Sequence, residues 1–244
     1  MLEGLYSAAA GMSAQQEQLN AISNDLANVS TTGYKAERVA FSDLLYNPVK
    51  IAGSETSSGS GASARMIGRS ETQGALQETG EPLDMAIEGA GYFQVKRADG
   101  QIALTRDGSF GVDATGTIVN SEGNRLYPPV KLPKGAAPSE VHIAPDGTVT
   151  LGTRKLGQIK LVTVTSPEHL LADGGGELSP TAQSGKPHAA GGRIHQGALE
   201  ASNVNVASEM ATMASTERNY QLTSTAIQTE SQMMSIANQL RAGS

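Results

Sequence analysis

The sequence predicts an α+β protein in which long N- and C-terminal helices pair in coiled-coil fashion and a central antiparallel all-β domain lies between them. Three observations carry this. Leu5, Met12, Leu19 and Leu26 recur every seven residues at one end, with a second row of Met1, Ala8, Gln15, Ile22 and Val29 offset by three. Val206, Met213, Tyr220, Ile227 and Met234 repeat the same spacing at the other end, and Ala226, Met233 and Leu240 lie one position earlier and widen that stripe. From Met85 to about Thr165 the apolar residues instead come in short runs separated by glycine-containing turns. A seven-residue repeat holds a narrow apolar seam against a partner helix along its whole length. Neither terminal helix can bury such a seam alone, so the two are expected to pair, bringing the ends of the chain together.

The first helix is expected over Leu2 to Asn28, with Gly11 as a place of close helix approach, and Ser30-Thr31-Thr32-Gly33 as its stop. Residues 36–46 carry Val39, Phe41, Leu44 and Leu45 and suit either a short helix or an extended strap. Residues 53–64 are almost free of apolar side chains and read as exposed and flexible. Tyr92–Val95, Asp99-Gly100 and Ile102–Leu104 form a hairpin signal. Asp107-Gly108, Thr115-Gly116 and Glu122-Gly123 continue a meander, and Val141–Ile143, Asp146-Gly147 and Val149–Leu151 give another hairpin. A longer strand is expected over Lys155 to Val164, then an extended return path over 172–198, and a last helix, signalled by Ser202-Asn203, from about Val204 or Val206 to Leu240. Strands and turns without intervening helices indicate an antiparallel sandwich or open barrel. The organisation expected is therefore a discontinuous helical domain of 1–33 with 204–244, a connecting segment 34–84, and a β domain with its return path over 85–198.

Composition narrows the function. Among 244 residues, charged side chains make up 17%, and there are 28 glycines, no tryptophan and no cysteine. The formal net charge of −6 lacks the basic field that a nucleic-acid partner needs. Disulfides and thiolate metal sites are excluded. The N-terminus has no basic segment followed by an apolar one, and no run approaches the ~18 apolar residues of a membrane span. His142, His169, His188 and His195 are scattered without metal-ligand spacing. Asp107, Ser109, Gly111 and Asp113 alternate, but the glycine and glutamate of a calcium loop are missing. No nucleophile, base and oxyanion donor can be assembled, so no catalytic residue, metal, cofactor or small-molecule substrate is expected.

The helix flanks carry Ala, Ser, Thr, Gln and Asn in place of charged i,i+4 pairs, and Ser7–Gly11 and Ala211–Ser215 are mostly small and uncharged. Such surfaces favour close packing between subunits. The expected assembly interface comprises Leu5, Met12, Leu19, Ile22, Leu26, Val29, Met213, Tyr220, Ile227, Met234 and Leu240.

Four stretches resemble one family. Residues 23–35, with Asn24, Leu26, Ala27, Asn28, Thr31, Gly33, Tyr34 and Lys35, resemble the N-terminal signature S-N-N-L-A-N-x-x-T-x-G-[FY]-K of bacterial flagellar rod and hook proteins, departing only at Asp25. Leu199 to Asn205, including Ser202, Asn203 and Val204, resembles that family's L-E-x-S-N-V-[DN] motif. Residues 84–95 and 105–110 resemble its central D-x-A-I-x-G-x-G-[FY]-F and T-R-[DN]-G-x-F motifs. Phe41 to Tyr46 and the modest β region look most like the distal rod branch, although the segment between Tyr46 and Gly89 is shorter than is usual there. The resemblance implies a subunit of a helical, hollow homo-oligomer in the flagellar basal body, exported without a cleaved signal peptide. Its implied partners are other rod proteins, the hook protein, the export apparatus and ring proteins, and its implied work is carrying torque. A proximal rod subunit is the alternative within the family. Outside it, the alternative is a monomeric carbohydrate-binding or enzymatic β domain with helical appendages, hard to build with three phenylalanines and no tryptophan.

Overall fold

The computed structural model describes residues 2–44, 46–51, 54–59 and 61–242. The chain forms two compact units: Met1–Leu26, Glu37–Ile67 and Asn205–Ser244 make one, and Ala27–Ala36 with Gly68–Val204 make the other.

In the first unit, helix α1 spans Leu2–Ala27 and helix α2 spans Val206–Ala242. They run antiparallel. Glu230 of α2 lies beside Gly4 of α1, its carboxylate 3.4 Å from where a Cβ would stand. Glu209, at the other end of α2, is close enough to Asp25 for that charge, after burial, to raise its pKa. Helix α2 starts at Val206, the later of the two expected starts, because Asn205 is the cap: its Oδ1 accepts the Ser208 N–H at 3.1 Å. Residues 36–46, open between helix and strap from sequence, give the strand Glu37–Asp43, paired with Ala62–Arg69. Residues 53–64 were expected to be flexible. Ser54–Gly59 is instead a strand that pairs antiparallel with Tyr46–Ile51, while 53 and 60 lie outside the described residues.

The second unit is the β unit. Its largest described sheet has seven antiparallel strands, in the order Leu171–Gly174, Glu177–Ser179, Ile102–Thr105, Phe93–Lys96, Arg125–Leu126, Ile118–Asn120 and Phe110–Val112. A three-stranded sheet, Val141–Ile143, Thr148–Leu151 and Arg154–Gln158, packs on it. One core joins them: Met85, Ile87, Phe93, Val95, Ile118, Leu126, Val130 and Val149 are 0–1% exposed. Phe93 and Phe110 meet edge to face, centroids 5.3 Å apart. Alternation places them there, since Phe93 and Val95 point inward while Lys96 is exposed.

Two expectations are corrected. Lys155 to Val164 is not one strand but Arg154–Gln158 and Val162–Thr163. The stretch 172–198 is more than a return path. Glu177–Ser179 joins the large sheet, Arg193–Gln196 pairs with Met85–Glu88, and His188–Ala189 pairs with Val162–Thr163. Gly108 sits where any Cβ would run into the Met85 carbonyl, which explains the glycine after Arg106-Asp107.

Candidate functional site: helix seams and the junction of the terminal motifs

Helix α2 is half-buried or better along Glu209, Met213, Thr216, Tyr220, Thr223, Ile227, Glu230 and Met234, a strict alternation of three and four residues. Met213, Tyr220, Ile227 and Met234 thus belong to the covered face. Their companion row is Glu209, Thr216, Thr223 and Glu230, which apolar patterning could not find. Thr216 is 5% exposed, and its hydroxyl returns to the Thr212 carbonyl at 2.9 Å. Thr223 does the same with Asn219 at 2.9 Å. A threonine whose hydroxyl is satisfied within its own helix offers the seam a methyl group. Leu240 stands apart at 72% exposed, as do Met233 and Val206 at 57% and 40%.

On α1, Ile22 is buried and Leu5, Met12, Leu19 and Leu26 are half-buried. Val29 lies past the helix end at Ala27 and lines a cleft of about 270 Å³ with Thr32, Gln77, Leu199 and Ser202. The small residues of α1 are partly used inside the chain. A Cβ on Gly61 would stand 3.1 Å from Ala10, so the backbone there lies directly on the helix. Gly11 has no heavy atom within 4 Å of a Cβ position, so it makes no close approach within the described chain. At the end of α1, Asn24 Nδ2 donates to Glu37 at 3.0 Å and Asp25 Oδ1 accepts the Glu37 N–H at 2.9 Å. An acceptor is what Asp25 supplies there, and either Asp or Asn can do so.

The remaining motif residues converge inside the β unit. Thr31 bonds to Asn28 through both its N–H and its hydroxyl, at 3.0 and 3.2 Å, and turns the chain out of the helix. Gly33 adopts φ +68° and donates its N–H to the Glu200 carbonyl at 2.7 Å; a Cβ would stand 2.5 Å from the Arg106 backbone. Lys35, 7% exposed, reaches Glu200 Oε1 at 2.5 Å and the Thr72 carbonyl at 2.8 Å. Glu200, 1% exposed, also accepts the Gly74 N–H at 2.9 Å. Its Oε2 makes no hydrogen bond but faces Arg106 Nη1 at 3.3 Å. Arg106 is held in turn by the Gly89 carbonyl at 2.7 Å and lies 5.7 Å over the Tyr92 ring. Burial, then the neighbouring Glu71, holds the Tyr92 phenol well above its usual range. It stays protonated and can donate to Glu71 at 3.3 Å.

Asn203 ties three passages of chain together. Its N–H donates to the Tyr34 carbonyl at 3.3 Å, and its Oδ1 accepts from the Ala36 N–H at 2.8 Å. Its amide group donates to the Ser70 and Thr72 carbonyls at 3.3 and 2.8 Å. Only an amide supplies one acceptor and two donors in this arrangement. Ser202 Oγ accepts the Val204 N–H at 3.3 Å. Sequence reasoning named Lys35 and Asn203 but missed Glu200 as the partner of Lys35 and Arg106 as the second cation on Glu200. The available signal was that Lys35, Arg106 and Glu200 are charges embedded in motifs whose other members are turn or core residues.

Among the described residues no group of three or more His, Asp or Glu could hold a metal, and no helix is long and apolar enough to cross a membrane. The geometry is that of a locked junction and of helix faces.

Residues 5–35 match the family described as flagella basal body rod protein. Residues 86–151 match the flagellar hook protein FlgE/F/G D1 domain, and 195–240 the flagellar basal body rod FlgEFG protein C-terminal region. The flagellar basal-body rod protein FlgG of Borreliella burgdorferi is 36% identical over 263 aligned positions, covering 99% of both chains. That of Buchnera aphidicola subsp. Acyrthosiphon pisum is 36% identical over 262, covering 98% of this chain and 100% of its own. The hook protein FlgE of Treponema pallidum is 37% identical over 129 residues, but these are 49% of this chain and 28% of the hook protein. Likeness to the rod proteins runs end to end, through the helices and the locked junction alike. The chain belongs to the flagellar basal-body rod protein family.

Proposed function

We propose that this chain is the distal rod subunit, a structural element that self-assembles into a hollow helical tube, carries motor torque to the hook and surrounds the export channel. The observation that carries the reading is the end-to-end likeness to FlgG proteins, against half-length likeness to a hook protein. The exposed apolar residues of α2 support it, since an isolated globular chain has no use for them. Other rod proteins, the hook protein, ring proteins and the export apparatus are the partners this role requires. The role requires no catalysis, cofactor or small-molecule substrate. Export in an unfolded state is consistent with a sequence free of cysteine, which cannot be trapped by disulfides on the way.

The test is complementation. The gene for this chain is expressed in a flagellated host lacking its own FlgG, and motility and purified basal bodies are scored. Restored swimming with the tagged chain at the hook end of the rod supports the proposal. A tag at the motor end would reassign the chain to a proximal position, and a tag absent from basal bodies would refute the role.

A further inference from the structure

Charge is segregated within the β unit. Residues 70–95 hold five carboxylates and no Lys or Arg, whereas residues 147–165 hold three cations and no carboxylate. Glu71, Glu78, Glu81 and Glu88 of the first stretch are exposed, as are Arg154, Lys155 and Lys160 of the second. Among the described residues none of these seven forms an ion pair within the chain. Asp146, just ahead of the basic stretch, is already engaged by the N–H and hydroxyl of Thr148 at 2.9 and 3.0 Å.

Each stretch also carries a strand with an open side. Among the described residues Leu76–Glu78 pairs with Ala198–Glu200 and with no other strand. The Ala75 carbonyl accepts the Ala201 N–H and the Thr79 N–H donates to the Gly197 carbonyl, both at 2.9 Å, so the odd-numbered residues face that partner. Alternation turns the N–H and C=O of Leu76 and Glu78 the other way. All three residues of this strand are exposed. Arg154–Gln158 is the outer strand of its three-stranded sheet, with Arg154 and Lys155 opposite Leu151 and Thr150. An uncovered strand edge is a template for another chain.

We infer that the acidic edge at Leu76–Glu78 of one copy joins the basic edge at Arg154–Gln158 of a second copy, with Glu78 and Glu81 set against Arg154 and Lys155. The inference rests on the rod reading and adds a contact between β units. Charge complementarity argues for a second copy as occupant, because one chain carries both the acidic edge and the basic edge that matches it. Like edges exclude each other, since two acidic or two basic strands brought together place like charges opposite one another. The permitted pairing joins two different surfaces, so it does not close on itself and extends as an open polymer. Both strands are short, and a single contact of this kind gains its effect by repetition alongside the helix seams.

Three full-length variants test this. Glu78→Lys/Glu81→Lys reverses the acidic edge, Arg154→Glu/Lys155→Glu reverses the basic edge, and a third chain carries all four changes and keeps the original net charge. Sedimentation over a concentration series reads assembly, and near-ultraviolet circular dichroism reads melting of the β unit. Each two-residue variant should need a concentration on the order of tenfold higher to polymerise. The four-residue variant should polymerise where the unaltered chain does, and an equal mixture of the two-residue variants should do the same. Melting should be unchanged throughout. A two-residue variant that assembles like the unaltered chain would overturn the inference, and if that variant still fails to restore swimming, the edge meets a different protein. A four-residue variant as impaired as the two-residue ones, a lowered melting temperature, or an unaltered chain that stays monomeric at every concentration would overturn it too. If the unaltered chain and both two-residue variants all restore swimming, the contact is wrong and the rod reading stands. If the unaltered chain itself fails to restore swimming, it is the rod reading that fails.

Discussion

Replacing Glu200 with Gln should unlock the junction of the terminal motifs. Glu200 lies at 1% exposure between two buried cations, Lys35 at 2.5 Å and Arg106 at 3.3 Å. Glutamine keeps the volume and can still accept the Gly74 N–H, so the change removes charge and little else. Taking one partner from a buried pair costs about 3–5 kcal/mol, because the other charge stays desolvated. Both cations retain backbone carbonyls, Thr72 for Lys35 and Gly89 for Arg106, which favours the lower end of that range. A loss of ~3 kcal/mol at ~2–4 °C per kcal/mol lowers the melting temperature of the β unit by roughly 6–12 °C. The assay is thermal unfolding followed by tyrosine near-ultraviolet circular dichroism, since Tyr92 sits against Arg106 in this cluster. Lys35→Met/Glu200→Gln should cost clearly less than the sum of the two single changes, as contacting residues are not additive. A shift below 1 °C for Glu200→Gln, or strict additivity in the double variant, would refute the view that these charges lock the junction as a unit.

Three further outcomes are expected. Asn203→Asp is nearly isosteric but turns a carboxylate oxygen toward the Ser70 and Thr72 carbonyls, so it should cost ~1–3 kcal/mol in urea unfolding, and an unchanged midpoint would contradict the amide geometry. Leu19→Asp/Ile22→Asp puts carboxylates into the α1 seam, where Ile22 is 4% exposed; it should abolish assembly and loosen the helix pair while leaving β-unit melting nearly unchanged, and a large fall in that melting temperature would show one shared core. Burial, then its backbone bond to Ser109 in the opposing sense and the charge of Asp84, leaves the Asp107 pKa raised. A raised carboxyl is favoured protonated in the folded state, so its contribution is present below the unfolded value near ~4 and lost as pH rises through the folded one. Asp107→Asn should remove that fall as the pH rises above about 4, and identical pH profiles for the two proteins would rule the assignment out.

What the sequence by itself determined is whatever repeats at short range or is written in one motif. The seven-residue rows set the two helices and their narrow seams, since a side chain's face on a helix follows from spacing alone. Glycine-punctuated apolar runs set the antiparallel β region, and the four motifs set the family. The tertiary structure decided the rest, where the partner is far along the chain or the local signal is ambiguous. Residues 36–46 could be helix or strap until Ala62–Arg69 supplied the neighbouring strand. The polar row Glu209, Thr216, Thr223 and Glu230 joins the covered face of α2 because threonine hydroxyls are satisfied inside the helix, which an apolar pattern cannot register. Lys35 and Glu200 are 165 residues apart, and only the folding of both terminal motifs onto the β unit makes them partners. Charge pairing and amide geometry depend on angstrom distances between distant segments, and no local spacing encodes those.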